Sequence, residues 1–265
     1  MNILERIIES KKAEVEKKKM AQPVSQLQKA DLFTRKTLSL KQYLRDASKT
    51  GVIAEFKRKS PSKGIINDQA DVIEVTRAYT DHGASCLSVL TDEKYFGGCN
   101  NDLIKARVNQ IPILRKDFII DEYQITEARS IGADVILLIA ACLKPGEVKR
   151  LAAFARSLKL EVLLELHVEE ELEHICEETE IIGINNRNLK TFEVDIDRSL
   201  RMAEQIPAGK MKVAESGISR VEDILLFKRN GFDGFLIGEN FMKARDPTIA
   251  FAEFVKHLKA KAHED

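Results

Sequence analysis

From Gly51 onward, short apolar runs rich in β-branched residues alternate with amphipathic segments, and this alternation limits the fold more than any other feature of the chain. The runs are "GVIAEFK", "ASCLSVLT", "IPILRKD", "ADVILLIA", "EVLLELH", "IIGINNR", "MKVAES" and "DGFLIG", eight in all. Between them lie segments such as "DVIEVTRAYTDHG", "YQITEARSIG", "PGEVKRLAAFARSL", "VEEELEHICEE" and "RVEDILLFKRNG", several of which close on Gly as helices do. Strands that are apolar along their whole length need cover on both faces, which a parallel sheet flanked by helices provides. Eight βα units over about 215 residues predict a closed (β/α)8 TIM barrel, an α/β fold. An open doubly wound sheet would call for a GxGxxG turn after the first strand, and there is none.

The residues before Gly51 read as a helical extension. "ILERIIESKKAEVEKKK" puts Ile3, Ile7 and Ile8 on one face and then alternates charge, as an amphipathic helix with a solvated charged side would. "LSLKQYLRD" predicts a second short helix. No low-complexity linker interrupts the chain, so residues 1–265 are expected to form one barrel domain with residues 1–45 as its extension.

Charge and apolar content narrow the function classes. Lys plus Arg and Asp plus Glu both number 42, so no overall field draws nucleic acid or an anionic membrane. The longest apolar runs fall short of the roughly 20 residues that cross a bilayer, and "MNILERIIESKK" lacks the apolar core of a signal peptide. A soluble cytoplasmic protein is expected. Cys86, Cys99, Cys142 and Cys176 form no CxxC pair, and His82, His167, His174, His257 and His263 show no HExxH spacing. No metal and no cofactor is expected, and no role is assigned to any cysteine or histidine.

A barrel of this kind carries its chemistry at the carboxyl-terminal ends of its strands. Six ends are polar: Glu55 and Lys57 on the first, "TDEKYFGG" after the second, Lys116 and Asp117 on the third, Glu165 on the fifth, Asn185 and Arg187 on the sixth, Glu215 and Ser216 on the seventh. Ionisable groups facing a barrel mouth are costly unless used, so their convergence predicts an active site. "ESGI" and "LIGEN" place Gly217 and Gly238 where backbone amides can close around an anion, and the loops after strands seven and eight are a frequent phosphate site, with Lys57 adjacent in the closed ring. Two glutamates and two lysines beside such an anchor suit general acid–base chemistry on a sugar phosphate: isomerisation, cyclisation, dehydration or an aldol-type step.

The stretches "IAEFKRKSPSKG", "LTDEKYFGG", "ILRKDFIID", "GINNRNL", "VAESGI" and "LIGEN" together resemble the indole-3-glycerol phosphate synthase family, and the likeness runs over nearly the whole chain, extension included. It implies a carboxy-lyase of tryptophan biosynthesis that closes the indole ring of 1-(2-carboxyphenylamino)-1-deoxyribulose 5-phosphate with loss of carbon dioxide and water. By this resemblance Lys116 is the general acid that protonates the ketone, and Glu165 takes or returns protons during dehydration. Lys57 contacts both the carboxylate and the phosphate of the substrate. Glu55 and Asn185 orient the reacting amine and hydroxyls, Ser60 and Arg187 lie near the anthranilate carboxylate, and Glu215 holds sugar hydroxyls. Ser216, Gly217, Gly238 and Glu239 hold phosphate, the last two chiefly through backbone amides. Asn240 departs from the small serine expected in many relatives.

"KSPSKG" is expected to begin a loop that covers the substrate, and Arg58, which points the other way along the strand, reads as structural. Two other readings stay open. One is the isomerase acting a step earlier in the same pathway, although no Cys ends the first strand as that enzyme would need. The other is a catalytically silent phosphate-binding barrel serving a complex. The resemblance also leaves open association with other tryptophan-pathway enzymes.

Overall fold

A computed structural model describes residues 3–188 and 193–261. Eight parallel strands close into a barrel in chain order: β1 (Val52–Phe56), β2 (Cys86–Leu90), β3 (Ile113–Lys116), β4 (Val135–Ile139), β5 (Glu161–Leu166), β6 (Ile181–Asn185), β7 (Met211–Glu215) and β8 (Gly234–Ile237). Each is one of the eight apolar runs of the sequence. The ring shuts where β8 pairs with β1, Ala54 facing Ile237.

Helices cover the outside. Asp71 caps α4 (Val72–Asp81) and Asp121 caps α7 (Glu122–Ser130), each side chain accepting from free first-turn amides. With α6 (Asn100–Ala106), α8 (Pro145–Ser157), α9 (Ile196–Glu204), α10 (Val221–Arg229) and α12 (Pro247–Lys261) they pack one large apolar cluster against the strands, and the one-turn helices α5 (Glu93–Phe96) and α11 (Glu239–Met242) follow β2 and β8. The expected helix over "VEEELEHICEE" is instead a short 3₁₀ segment, Glu169–His174. Its buried His174 hydrogen-bonds the carbonyls of Glu171 and Leu143, so side-chain anchoring replaces a long amphipathic face.

The extension holds α1 (Ile3–Ala21), α2 (Val24–Leu27) and α3 (Leu40–Arg45). One expectation about it fails. The charged run of α1 is not simply a solvated face, because Ile7, Lys11 and Val15 form its buried stripe and Lys11 is only 1% exposed. Leu40, from α3, closes the barrel floor with Ile53, Leu114, Val135, Leu163 and Val213. Among the described residues no helix is long and apolar enough to cross a membrane.

Candidate active site

The site follows from the two-residue period of a strand. On five of the strands the residues facing the barrel axis form a column, apolar below and polar above, whereas β4 presents Val135, Leu137 and Ile139. Ile53 leads to Glu55 on β1, Leu114 to Lys116 on β3, Leu163 to Glu165 on β5, Ile181 through Gly183 to Asn185 on β6, and Val213 to Glu215 on β7. The apolar residues interlock as a floor, and the polar ones form a layer above it. They line a cavity of about 210 Å³ with Lys57, Ser60, Arg187, Ser216, Gly217, Gly238, Glu239 and Asn240. Every residue expected at the site therefore reaches one cavity.

Lys116 is the hub of the layer. Its Nζ lies 3.5 Å from Glu55, 3.6 Å from Glu215 and 3.9 Å from Glu165. Burial works against a charge on Lys116, but the surrounding glutamates, Glu55 first and then Glu165, outweigh it and hold the ammonium well above its ordinary pKa. Glu55 is fully enclosed, which favours its neutral form. Lys57, at 2.8 Å, and Lys116 overcome that and keep it ionised. Glu165 is likewise held low against the cost of burial, by Lys116, by His167 and by a 2.9 Å hydrogen bond from Asn185 Nδ2.

Glu215 goes the other way. Burial, reinforced by the charges of Glu165 and Glu55, raises its pKa despite Lys116, and neither carboxyl oxygen has a hydrogen-bond partner among the described residues. The layer thus brings an ammonium, two ionised carboxylates and a protonated carboxyl within reach of one another.

Two glycines make room for these carboxylates. A Cβ on Gly183 would sit 2.1 Å from Glu215 Oε1, and one on Gly238 would sit 2.6 Å from Glu55 Oε1. Gly183 had no role in the sequence reading. It sits in mid-strand, where a missing side chain commonly marks a close approach. Gly217 has φ +72° and packs against Val194, and Ser216 beside it is also left-handed at φ +67°, so the turn after β7 is sharply bent.

Around the rim, Arg187 reaches Ser62 Oγ and Glu239 Oε2, each at 3.4 Å. Asn240 donates to the carbonyl of Ser219 and so links the loops after β7 and β8. The loop after β1 folds into a small hairpin in which Lys59 and Ser60 pair with Ile65 and Gly64. Arg58 grips Asp102 through both terminal nitrogens, at 2.6 and 3.0 Å, and its expected structural role stands.

Several site features escaped the sequence reading. His167, assigned no role, is buried with Nε2 2.9 Å from Glu165 Oε1 and Nδ1 3.8 Å from Glu171. Neither contact is a formed hydrogen bond, the one to Glu171 being too long, so with a charged ring both act as ion pairs. The two-residue spacing from Glu165 was the available signal, because it puts His167 on the same face of the strand. Asp117, counted among the mouth groups, is tied instead to Lys11 at 3.0 Å, Thr91 at 2.6 Å and Arg115 at 3.2 Å. Ile3, Leu4 and Ile7 of the extension form part of the apolar wall.

In a closed parallel barrel, a polar layer of this make-up at the strand ends defines a (β/α)8 enzyme built for proton transfer. The chain belongs to the indole-3-glycerol phosphate synthase family, whose profile matches residues 4–254. The indole-3-glycerol phosphate synthase of Bacteroides thetaiotaomicron is 48% identical over 97% of this chain and 99% of its own length. That of Polynucleobacter asymbioticus is 52% identical over 78% of each. Among solved structures, a mutant tryptophan synthase alpha-subunit from Pyrococcus furiosus superposes with a TM-score of 0.61 at 14% identity, covering 80% of this chain and 99% of its own. Thiamine phosphate pyrophosphorylase from the same organism gives 0.56 at 15% identity, over 79% and 95%. These two likenesses speak for the fold.

Proposed function

We propose that this protein converts 1-(2-carboxyphenylamino)-1-deoxyribulose 5-phosphate to indole-3-glycerol phosphate, releasing carbon dioxide and water. The observation that carries the reading is the Lys116 ammonium, set among Glu55, Glu165 and Glu215 on the cavity floor of a chain that belongs to this family.

Lys116 donates its proton to the ketone oxygen as the ring carbon bearing the carboxylate adds to the carbonyl carbon. A cation is most useful there because negative charge develops on that oxygen in the transition state. Loss of carbon dioxide returns its bonding pair to the ring and restores aromaticity. The new hydroxyl then leaves as water, with Glu165 taking and returning the protons. Glu55 and Asn185 orient the amine and hydroxyls, and Glu215, protonated near neutral pH, can donate to as well as accept from a sugar hydroxyl.

Ser60 and Arg187 serve the anthranilate carboxylate and Lys57 bridges toward the phosphate. Ser216, Gly217, Gly238 and Glu239 form the phosphate cradle. The extension acts with the barrel as one domain, its apolar side chains meeting the aromatic ring. A cytoplasmic setting, and contact with other tryptophan-pathway enzymes, belong to the same reading. Incubation with the substrate while indole absorbance and fluorescence are followed tests it. Absence of an indole signal from folded protein would sink it.

A further inference from the structure

The mechanism makes use of Glu165 but leaves its neighbour His167 without a task. His167 is 4% exposed, and a buried imidazole is costly to charge unless it is paired. It is paired on both sides. Nε2 lies 2.9 Å from Glu165 Oε1 and Nδ1 lies 3.8 Å from Glu171 Oε2, while the backbone N–H of His167 donates to that same Glu171 oxygen at 2.6 Å. Glu171 belongs to the 3₁₀ segment after β5, and His174 of that segment anchors it by bonding the carbonyls of Glu171 and Leu143. A rigid piece of backbone thus sets Glu171, Glu171 sets His167, and His167 meets Glu165 at Oε1, the same oxygen that accepts from Asn185 Nδ2.

We propose that His167 is a positioning residue, clamped between Glu171 and Glu165 so as to fix both the direction and the charge of the Glu165 carboxylate. The inference rests on the proposed proton-transfer role of Glu165. The other titratable groups around the pair agree with it. Cys142, after β4, feels both Glu165 and Glu171, and burial with their charges keeps its thiol neutral. Glu215, from β7, tends to stay protonated and so adds little competing charge. Lys116, from β3, favours an ionised Glu165 from the far side. Burial opposes a charged imidazole, yet the two carboxylates raise the His167 pKa to about 9, so the ring is an imidazolium near neutral pH.

The test compares turnover against pH for the wild-type protein, His167→Gln and Glu171→Gln, beside an NMR titration of the histidine rings. His167→Gln keeps a hydrogen-bond donor and loses the charge. The acidic limb of kcat should move up by about one pH unit or more, which is a tenfold change in proton affinity at Glu165, with KM nearly unchanged. Glu171→Gln should shift it the same way by less, and should bring the His167 titration down from about 9 toward the ordinary 6.5. An acidic limb that stays put in both variants, or a wild-type His167 that titrates near its ordinary value, overturns the proposal. Should His167→Gln not fold, Glu171→Gln and the ring titration still decide. A wild-type protein that makes no indole product would instead overturn the function, and the NMR titration would judge the clamp separately.

Discussion

Lys11 Nζ, on the amino-terminal helix, lies 3.0 Å from Oδ1 of Asp117, the residue that follows Lys116. It also contacts Asp92 at 2.8 Å and Glu14 at 2.9 Å. Burial would disfavour both charges, but the pairing holds Asp117 far below the usual carboxylate range and Lys11 above the usual lysine range. Arg115, fully buried on the outer face of β3, completes the chain of charge from Asp117 to Glu127. The extension is therefore bound ionically to the strand end that carries the hub lysine, and it lays Ile3, Leu4 and Ile7 into the cavity wall.

Lys11→Met should destabilise the fold by about 3–5 kcal/mol, because Asp92 would remain buried without its cation and Asp117 would keep only Arg115. Urea denaturation checks it. A loss below about 1 kcal/mol would mean the network is solvated in a way its burial contradicts. Turnover should fall as well, since the Lys116 strand end loses its tether.

The barrel was legible because eight strands obey one apolar pattern, and the mouth residues were legible because strand ends in this fold point one way. What stayed hidden involves contacts across the ring. Lys11 looked like one more charge on a solvated helix, since nothing local says that two aspartates from different loops wait beneath it. Gly183 looked like a weak strand residue, because the carboxylate it admits lies 32 residues further on at Glu215. His167 was passed over because a lone histidine is ordinarily uninformative. Its parity with Glu165 carries meaning only once the strand's inward face is known. The short 3₁₀ segment after β5 was misread because apolar spacing alone does not separate it from an α-helix.

Gly183→Ala should cut turnover while leaving the barrel folded. The added methyl would stand 2.1 Å from Glu215 Oε1, and a side-chain terminus can swing away more cheaply than a strand can shift. In a Glu215→Ala background the same change should cost much less, so a double-mutant cycle should show strong coupling. Additive effects would mean that Gly183 matters for some other reason.

Lys116→Met keeps the stem and removes the charge. Turnover should fall roughly a hundredfold or more with substrate binding largely kept, since the lost group acts where charge develops in the transition state. Single-turnover kinetics with a separate binding measurement would show it. An effect confined to KM would contradict the role of general acid.

Stability should fall at alkaline pH in a way that depends on His167. Its pKa is raised from 6.5 to about 9 in the folded protein, so its contribution is complete below about 6.5 and is lost as pH rises through about 9. The full effect is on the order of 3 kcal/mol from a pKa difference of this size. Unfolding free energies at pH 6 and pH 10 should therefore differ more for the wild-type protein than for His167→Gln. Equal pH dependence in the two proteins would show that the imidazole is uncharged in the fold.

The last prediction concerns the proposed phosphate cradle at the ends of β7 and β8. Two requirements meet at Gly238. Its amide precedes the first turn of the short helix Glu239–Met242, where N–H groups lack acceptors within the helix, and its missing side chain leaves space for Glu55. Gly238→Ala should therefore lower turnover by displacing Glu55, with a modest change in phosphate affinity, whereas Gly238→Asp should also place a carboxylate beside the anion and abolish both. Ser216→Ala, which removes one hydroxyl, should be milder and raise KM. Inhibition by inorganic phosphate, measured across the three variants, separates the two effects. Because the phosphate does not react, binding energy spent there orients the distant aromatic ring, so turnover and affinity should weaken together in Gly238→Asp. A crystal soaked in phosphate that held the anion elsewhere, with the amides of Gly217 and Gly238 turned from the mouth, would move the anchor and leave the acid–base layer around Lys116 untouched.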